Sequence, residues 1–183
     1  MEHENIFKET AKHENFNWNK LGNIKEGRGD LSEEMPVMVY RLMQYTMLDV
    51  LAKAHGLEQA NEYFRNAGYL AGTEFAKSVL DLTADFNSFV SNLQKALQEL
   101  KIGILRMEDF NTDDGRIILT VGQDLDCSGL PITDENVCVY DEGFISGILE
   151  AYTGKKYDVR EVDCWASGDR VCRFCGTVSA GSE

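Results

Sequence analysis

EVDCWASGDRVCRF, residues 161–174, predicts a turn between two β-strands near the C-terminus. Ser, Gly and Asp at positions 167–169 are typical turn residues, and the residues on either side favour strands. We expect these strands at about 157–163 and 171–178. They would pair as neighbours joined by the turn.

Upstream of this hairpin the chain is predicted to be mostly helical. Asp30 and Glu33 have the spacing of a capping box, so the first helix is expected to begin between Asp30 and Ser32, and apolar residues recur at helical spacing from Met35 to Leu51. The other predicted elements are helices at 57–80 and 85–100, a β-hairpin of 102–109 and 116–121, and an inserted helix at 136–152. This order favours an α+β fold, with N-terminal helices packed on a mainly antiparallel sheet that carries one inserted helix.

The length of 183 residues predicts one domain with an N-terminal extension. Residues 1–31 have no clear period and are interrupted by glycines, so we expect them to form an arm or cap. Residues 32–180 are expected to form the domain itself. Within it, Gly68 and Gly72 lie one helical turn apart, which favours close packing of two helices over a ligand-sized gap.

Composition excludes several classes of function. The formal net charge is −13 and no run of Lys or Arg is long, so binding to nucleic acid is not expected. No apolar run approaches the ~20 residues that span a bilayer, and the charged first residues do not resemble a secretory signal. Five cysteines in such a chain predict free thiols or a metal site, and the expected location is the cytoplasm.

Four residues could supply a closed tetrahedral zinc site: Cys138, Glu161, Cys164 and Cys172. Zinc held there would be structural, since no ligand position is left open. Cys175 is an alternative fourth ligand, because Cys172 and Cys175 form a C-x-x-C pair. If residues 171–178 form a regular strand, however, these two thiols point to opposite faces, which favours Glu161. Ordinary buried thiols are the remaining interpretation.

A catalytic centre finds little support in the residues. A nicotinamide-dependent reductase would need a glycine-rich turn such as G-x-G-x-x-G, and the chain has none. Cys127 lacks a nearby His in sequence and is expected to be a surface thiol in a loop. We therefore expect no catalytic residues, and an enzyme is the less favoured class.

Three segments together resemble the 4-vinyl-reductase domain family. They are AGYLAG at 67–72, CVYDEGFISG at 138–147 and EVDCWASGDRVCRF at 161–174. The last segment has the pattern E-x-x-C-x-x-x-G-D-x-x-C-x-F, which is typical of these domains. The resemblance covers about residues 35–178, and the family includes predicted hydrocarbon-binding proteins and the sensor domains of phenol- and xylene-responsive activators.

The resemblance implies a fold similar to that of trafficking-complex subunits and haem-based nitric-oxide sensors, often as a homodimer. It also implies zinc bound by three Cys and one Glu, which ranks Glu161 above Cys175. Residues 32–180 would then be a ligand-binding domain with an apolar pocket between helices and sheet. The expected pocket residues are Phe86, Phe89, Val90, Ile104, Ile117, Leu119, Tyr140, Phe144 and Trp165.

The function that the resemblance implies is binding or sensing of a hydrophobic or aromatic small molecule, with zinc stapling the fold. Signalling would then pass through a protein partner, or the chain would act as a carrier. Two alternatives are an accessory protein or reductase that acts on the vinyl group in tetrapyrrole metabolism, and a docking or scaffold dimer. The chain departs from phenol sensors because its histidines, His3, His13 and His55, lie far upstream of the sheet, which argues for a ligand less polar than phenol.

Overall fold

The structure is a computed structural model that describes residues 15–111 and 115–179. It contains five α-helices and four β-strands within these residues. The helices are α1 (Ile24–Gly27), α2 (Val37–His55), α3 (Leu57–Val79), α4 (Phe86–Glu99) and α5 (Val139–Thr153). The strands are β1 (Ile104–Phe110), β2 (Ile117–Gly122), β3 (Tyr157–Asp163) and β4 (Cys172–Val178).

The four strands form one antiparallel sheet in the order β1-β2-β4-β3. Two hairpins, β1–β2 and β3–β4, meet along β2 and β4, where Leu119 lies opposite Phe174. The helix α5 is inserted between the hairpins in sequence. The predicted α+β fold is therefore confirmed, with helices packed on a mainly antiparallel sheet.

The core lies between the inner face of the sheet and the helices α4 and α5. Phe174 on β4 and Phe89 on α4 are 0% and 1% exposed, respectively. The ring of Phe89 stacks on Tyr152 of α5 with 3.8 Å between centroids. Aromatic rings thus join the two helices above the sheet, where burial of apolar surface stabilises the fold most.

Glycines bring α3 and α5 into direct backbone contact. A Cβ atom at Gly68 would lie 2.0 Å from the carbonyl oxygen of Tyr140, and one at Gly72 would lie 2.0 Å from that of Phe144. The same holds in the other direction, since a Cβ at Gly143 would lie 1.9 Å from the carbonyl oxygen of Arg65. The prediction of close helix packing at Gly68 and Gly72 is confirmed.

The helix α2 begins later than the capping-box spacing predicts. Its first residue is Val37, and Pro36 is the N-cap with an extended backbone, φ −61° and ψ 138°. The expected start between Asp30 and Ser32 is wrong because the residue before a proline avoids the α conformation. Met35 therefore cannot continue a helix into Pro36, and the helix starts just after it.

One side of α2 carries the polar contacts of the helix, and much of its apolar stripe is exposed. Gln44 is its buried residue, whereas Met38, Leu42 and Val50 are 75%, 65% and 64% exposed. None of the helices in the described part of the chain combines the length and apolar character needed to cross a bilayer.

Candidate functional site

Four buried thiols converge at the end of the sheet that faces the start of α5. Cys138 is the N-cap of α5, Cys164 follows β3, and Cys172 is the first residue of β4. The fourth thiol is Cys127, in the loop after β2. All four Sγ atoms lie within 4.8 Å of one another, and none of these residues is more than 1% exposed.

The spacing of the thiols is close to that of a tetrahedral metal site. Zinc–sulfur bonds of ~2.3 Å imply sulfur–sulfur edges of about 3.8 Å. The Sγ of Cys138 lies 3.9 Å from that of Cys164 and 3.8 Å from that of Cys172. The Cys127–Cys172 edge is shorter, at 3.1 Å. This donor set fits a zinc ion, since soft thiolates in tetrahedral array are what zinc prefers.

Cys127 is not the surface thiol that its loop position predicts. It is 0% exposed, so that prediction is wrong. The carboxylate of Asp124 accepts hydrogen bonds from the backbone N–H groups of Asp126 and Cys127, at 2.8 and 3.1 Å. This tight turn folds the loop inward and buries the thiol. The run Asp-Leu-Asp-Cys at 124–127 was the sequence signal, because Asp side chains often stabilise such turns.

Glu161 lies beside the thiols and is held by backbone groups. Its Oε2 atom accepts a hydrogen bond of 3.0 Å from the N–H of Cys138. Its own N–H donates to Glu142, 2.9 Å away. The Oε1 atom is buried and has no hydrogen-bond partner among the described residues. Burial raises the pKa of Glu161 to about 8.

Cys175 lies apart from the cluster. Burial alternates along β4, so Cys172 and Phe174 face inward and Cys175 is only half-buried. Cys175 is opposite Ile118 of β2 and Arg160 of β3. It thus lies on the other face of β4 from Cys172, as the period of a strand requires.

Crowding changes the acidity of the buried thiols. Hydrogen bonds with Cys127, Cys164 and Cys172, together with burial, raise the pKa of Cys138. The same kind of contact, first from Cys127 and then from Cys138 and Cys172, lowers the pKa of Cys164. The neighbours thus share protons unequally. A bound cation would favour the ionised form of all of them, because thiolate is the metal-binding form.

A small apolar cavity of about 40 Å³ lies next to the thiols, under α4 and α5. Five of the nine predicted pocket residues line it: Phe86, Phe89, Val90, Leu119 and Phe144. Side chains that the sequence prediction missed also line it, among them Leu93, Leu97, Ile102, Leu105, Met107, Val121, Ile145, Ile148 and Leu149. The cavity is thus apolar along most of its wall.

The other four predicted pocket residues lie elsewhere. Ile104 is 37% exposed on the outer face of β1, whereas its neighbour Leu105 faces the cavity. Ile117 is buried in the core without lining the cavity, and Tyr140 lines a groove between α2 and α3. Trp165 donates its indole N–H to the carbonyl oxygen of Leu130 in the loop after β2.

Two carboxyl groups are the polar part of the cavity wall. Asp124 and Asp141 line it, and both place an oxygen within 4.8 Å of the other and of the Cys138 sulfur. Burial and the charge of Asp126 raise the pKa of Asp124 to about 6. Burial, followed by the charges of Asp126 and Asp124, raises the pKa of Asp141 well above its usual value. The Oδ2 atom of Asp141 is buried without a hydrogen-bond partner among the described residues.

Comparison with known proteins identifies the C-terminal part of the chain. The family model of the vinyl-4-reductase domain matches residues 117–177, so the predicted resemblance to the 4-vinyl-reductase family is confirmed. An uncharacterized protein from Methanocaldococcus jannaschii is 27% identical over 145 residues, which are 79% of each chain.

Three solved structures have a similar fold. The phenol-responsive sensory domain of the transcription activator PoxR, with phenol, has a TM-score of 0.60 and 16% identity, over 79% of this chain and 75% of that one. A vinyl-4-reductase family protein from Methanocaldococcus jannaschii has a TM-score of 0.57 and 14% identity, over 81% and 85%. A trafficking protein particle complex subunit 3 from Naegleria fowleri, covalently bound to palmitic acid, has 0.61 and 13%, over 78% and 95%. At these identities the likeness concerns the fold.

Proposed function

We propose that this chain, whose residues 117–177 match the vinyl-4-reductase domain, binds a small hydrophobic or aromatic molecule and senses or carries it. Residues 32–180 would form the ligand-binding domain and residues 1–31 an arm. A structural zinc ion would staple the start of α5 to the hairpin β3–β4. The free thiols suit a reducing compartment such as the cytoplasm.

The observation that carries this proposal is the cavity beside the thiol cluster. Its wall is apolar apart from Asp124 and Asp141. Small-molecule sites commonly combine an apolar wall with a few polar groups that fix orientation. A ligand with an apolar body and at most one polar group fits that wall. The volume of about 40 Å³ requires side chains to move when such a molecule enters.

Zinc would be held by Cys138, Cys164 and Cys172 and by one more donor. Glu161 and Cys127 are the two candidates for that position. When bound, zinc would supply structural cross-linking and no open coordination site. The protein residues provide the rest: Glu161 orients Cys138 through its N–H, and Glu142 orients Glu161 in turn.

Binding in the cavity is testable with a bulky substitution on α4. Val90 lines the cavity, so Val90→Trp should fill it and abolish binding of toluene and 4-methylphenol in calorimetric titrations. Val79→Trp is the matched control, because Val79 is 41% exposed at the end of α3. Equal binding to both variants would show that this cavity is not the site.

A docking or scaffold dimer is a second candidate function, favoured by the exposed apolar residues of α2. Met38, Leu42 and Val50 are all more than 60% exposed, and contiguous apolar patches commonly mark interaction sites. A homodimer through α2 would give twice the chain mass in light scattering, and Leu42→Glu would restore the monomer. A wild-type monomer at high concentration would argue against this function.

A further inference from the structure

We propose that Cys127 is the fourth ligand of the zinc ion, so that four thiolates hold the metal and Glu161 stays outside its coordination sphere. This inference rests on the metal centre in the proposed function. It departs from the ligand set of three Cys and one Glu that the sequence resemblance implies. It also gives the loop after β2 a role in the centre.

The positions of the donor atoms favour Cys127 over Glu161. The Sγ of Cys127 lies within 4.8 Å of the three other sulfurs, and among the described residues no carboxylate joins that group of four. Glu161 instead uses Oε2 to accept the N–H of Cys138, at 3.0 Å. That bond already gives Glu161 a task, which is to fix the backbone that carries Cys138.

The thiols Cys127 and Cys172 are close without being bonded. Their Sγ atoms are 3.1 Å apart, well beyond the ~2.05 Å of a disulfide. Four thiols at 0–1% exposure would crowd their protons or charges together. A divalent cation at the centre of the group relieves that crowding, because it binds each sulfur as thiolate.

The loop that carries Cys127 is held from the other side by α2. Tyr40 and Gln44 donate hydrogen bonds of 2.8 and 2.7 Å to the two carboxylate oxygens of Asp126. Arg41 donates to the carbonyl oxygens of Leu125 and Ser128, at 2.7 and 3.0 Å. Asp126 is 2% exposed, so these bonds are protected from water and fix the loop firmly. The position of Cys127 is thus determined by α2.

A ligand role for Cys127 changes which elements the metal connects. With Glu161 as fourth ligand, zinc would join only the start of α5 to β3 and β4. With Cys127, it also joins the loop after β2, and through Asp126 it reaches α2. The metal would then control how tightly α2 is held on the domain.

X-ray absorption at the zinc edge tests the ligand set directly on the purified chain. We expect four sulfur scatterers at about 2.3 Å, and the same shell in Glu161→Gln, because Gln still accepts the N–H of Cys138. Cys175→Ser, which removes the thiol outside the cluster, should also leave four sulfurs. Cys127→Ser should leave three.

Each other outcome overturns the inference in a distinguishable way. Three sulfurs and one oxygen at about 2.0–2.2 Å in the wild type, with the oxygen lost in Glu161→Gln, would assign Glu161 and leave the proposed function intact. No zinc in wild-type protein never exposed to chelator would overturn the metal centre as well. The wild-type spectrum decides even if Cys127→Ser fails to fold.

Hydrogen exchange gives a second readout that does not depend on the spectrum. Chelation of wild-type protein should reduce amide protection in α2, residues 37–55, more than in α4, residues 86–99. In Cys127→Ser the α2 amides should already be less protected with metal bound, and chelation should change their protection little further. Equal loss across α2 and α4 in both proteins would contradict a link between the metal and α2.

Discussion

Single residues set how closely the elements of this domain approach. Gly68, Gly72 and Gly143 let the α3 and α5 backbones touch, and a Cβ at any of them would come within about 2 Å of a carbonyl oxygen. Asp124 acts at the same scale, because one carboxylate oxygen turns the loop that buries Cys127. Both the fold and the thiol cluster depend on such local contacts.

Gly143→Ala should destabilise the domain by about 1–3 kcal/mol or more, because the new methyl group meets the backbone oxygen of Arg65. Urea unfolding measures the change. Gly27→Ala is the control, since no atom lies within 4 Å of the position that its Cβ would take in α1. A similar unfolding midpoint for the two variants would show that the α3–α5 contact is looser than described.

Asp85 makes the stability of α4 depend on pH. Its side chain accepts hydrogen bonds from the Ser88 hydroxyl and from the N–H groups of Asn87 and Ser88, and these lower its pKa. A lowered folded-state pKa stabilises the fold above the unfolded pKa of about 3.9, and the effect is lost as pH falls through the folded value.

We therefore expect wild type to have a higher melting temperature than Asp85→Ala at pH 6, and the difference to shrink below about pH 4. Asp85→Asn keeps a neutral cap and should lack the pH-dependent part of the difference. If the difference between wild type and Asp85→Ala stays constant down to about pH 3, the ionised cap does not contribute.

At the scale of elements, α2 is joined to the body by polar contacts more than by apolar burial. Its buried residue is Gln44, and Tyr40, Arg41 and Gln44 all bond to residues of the loop after β2. Hydrogen bonds shielded from water are costly to break, because the partner groups are left unpaired. The polar side of α2 therefore carries its attachment, and the apolar side is free for other contacts.

Arg41→Met should loosen α2 and cost about 1–3 kcal/mol, because the carbonyl oxygens of Leu125, Asp124 and Ser128 lose a donor. Lys53→Met in the same helix is the matched control. Lys53 is 76% exposed in its ion pair with Asp49, and such pairs contribute little. Equal unfolding midpoints in urea would mean that α2 is held by something other than Arg41.

The sequence predicted most elements to within a few residues, because their turns and periods are local signals. The hairpin β3–β4 and the helices α3 and α4 follow directly from turn residues and apolar spacing. Prediction failed where the cause is not local. Pro36 shifted the start of α2, and Ile104 was placed in the pocket although a one-residue change of register moves a side chain to the other face of a strand.

The candidate site divides in the same way. Cys138, Cys164 and Cys172 were predicted to come together, and the structure places their sulfurs near one another. Cys127 was missed, because its burial depends on a tertiary contact between α2 and a loop more than 80 residues away in sequence. Asp124 and Asp141 were missed too, since nothing in a single Asp announces a cavity wall.

At the scale of the whole molecule, the sheet and α5 position thiols, carboxyl groups and cavity in one continuous region. Asp124 belongs to both the cavity wall and the turn that holds Cys127. A ligand that moves Asp124 would therefore be felt at the thiol cluster and, through Asp126, at α2. The exposed face of α2 is the place where such a change would reach a partner.

Removal of metal should destabilise the whole domain. A ligand that binds only the folded state stabilises it by about 4 kcal/mol when its free concentration is a thousand times its dissociation constant. Chelation, or Cys164→Ser, should therefore lower the melting temperature strongly, and added zinc should restore it only in the wild type. Cys175→Ser should melt like the wild type. An unchanged melting temperature after chelation would exclude a structural metal.

Native mass spectrometry of protein purified without added ligand, repeated after denaturation, tests the central claim most directly. The account predicts one zinc ion per chain and an additional organic mass that is lost when the protein unfolds. Zinc without an organic mass would weaken the binding function and favour the docking dimer. A chain that carries neither metal nor organic mass, although never exposed to chelator, would contradict the account.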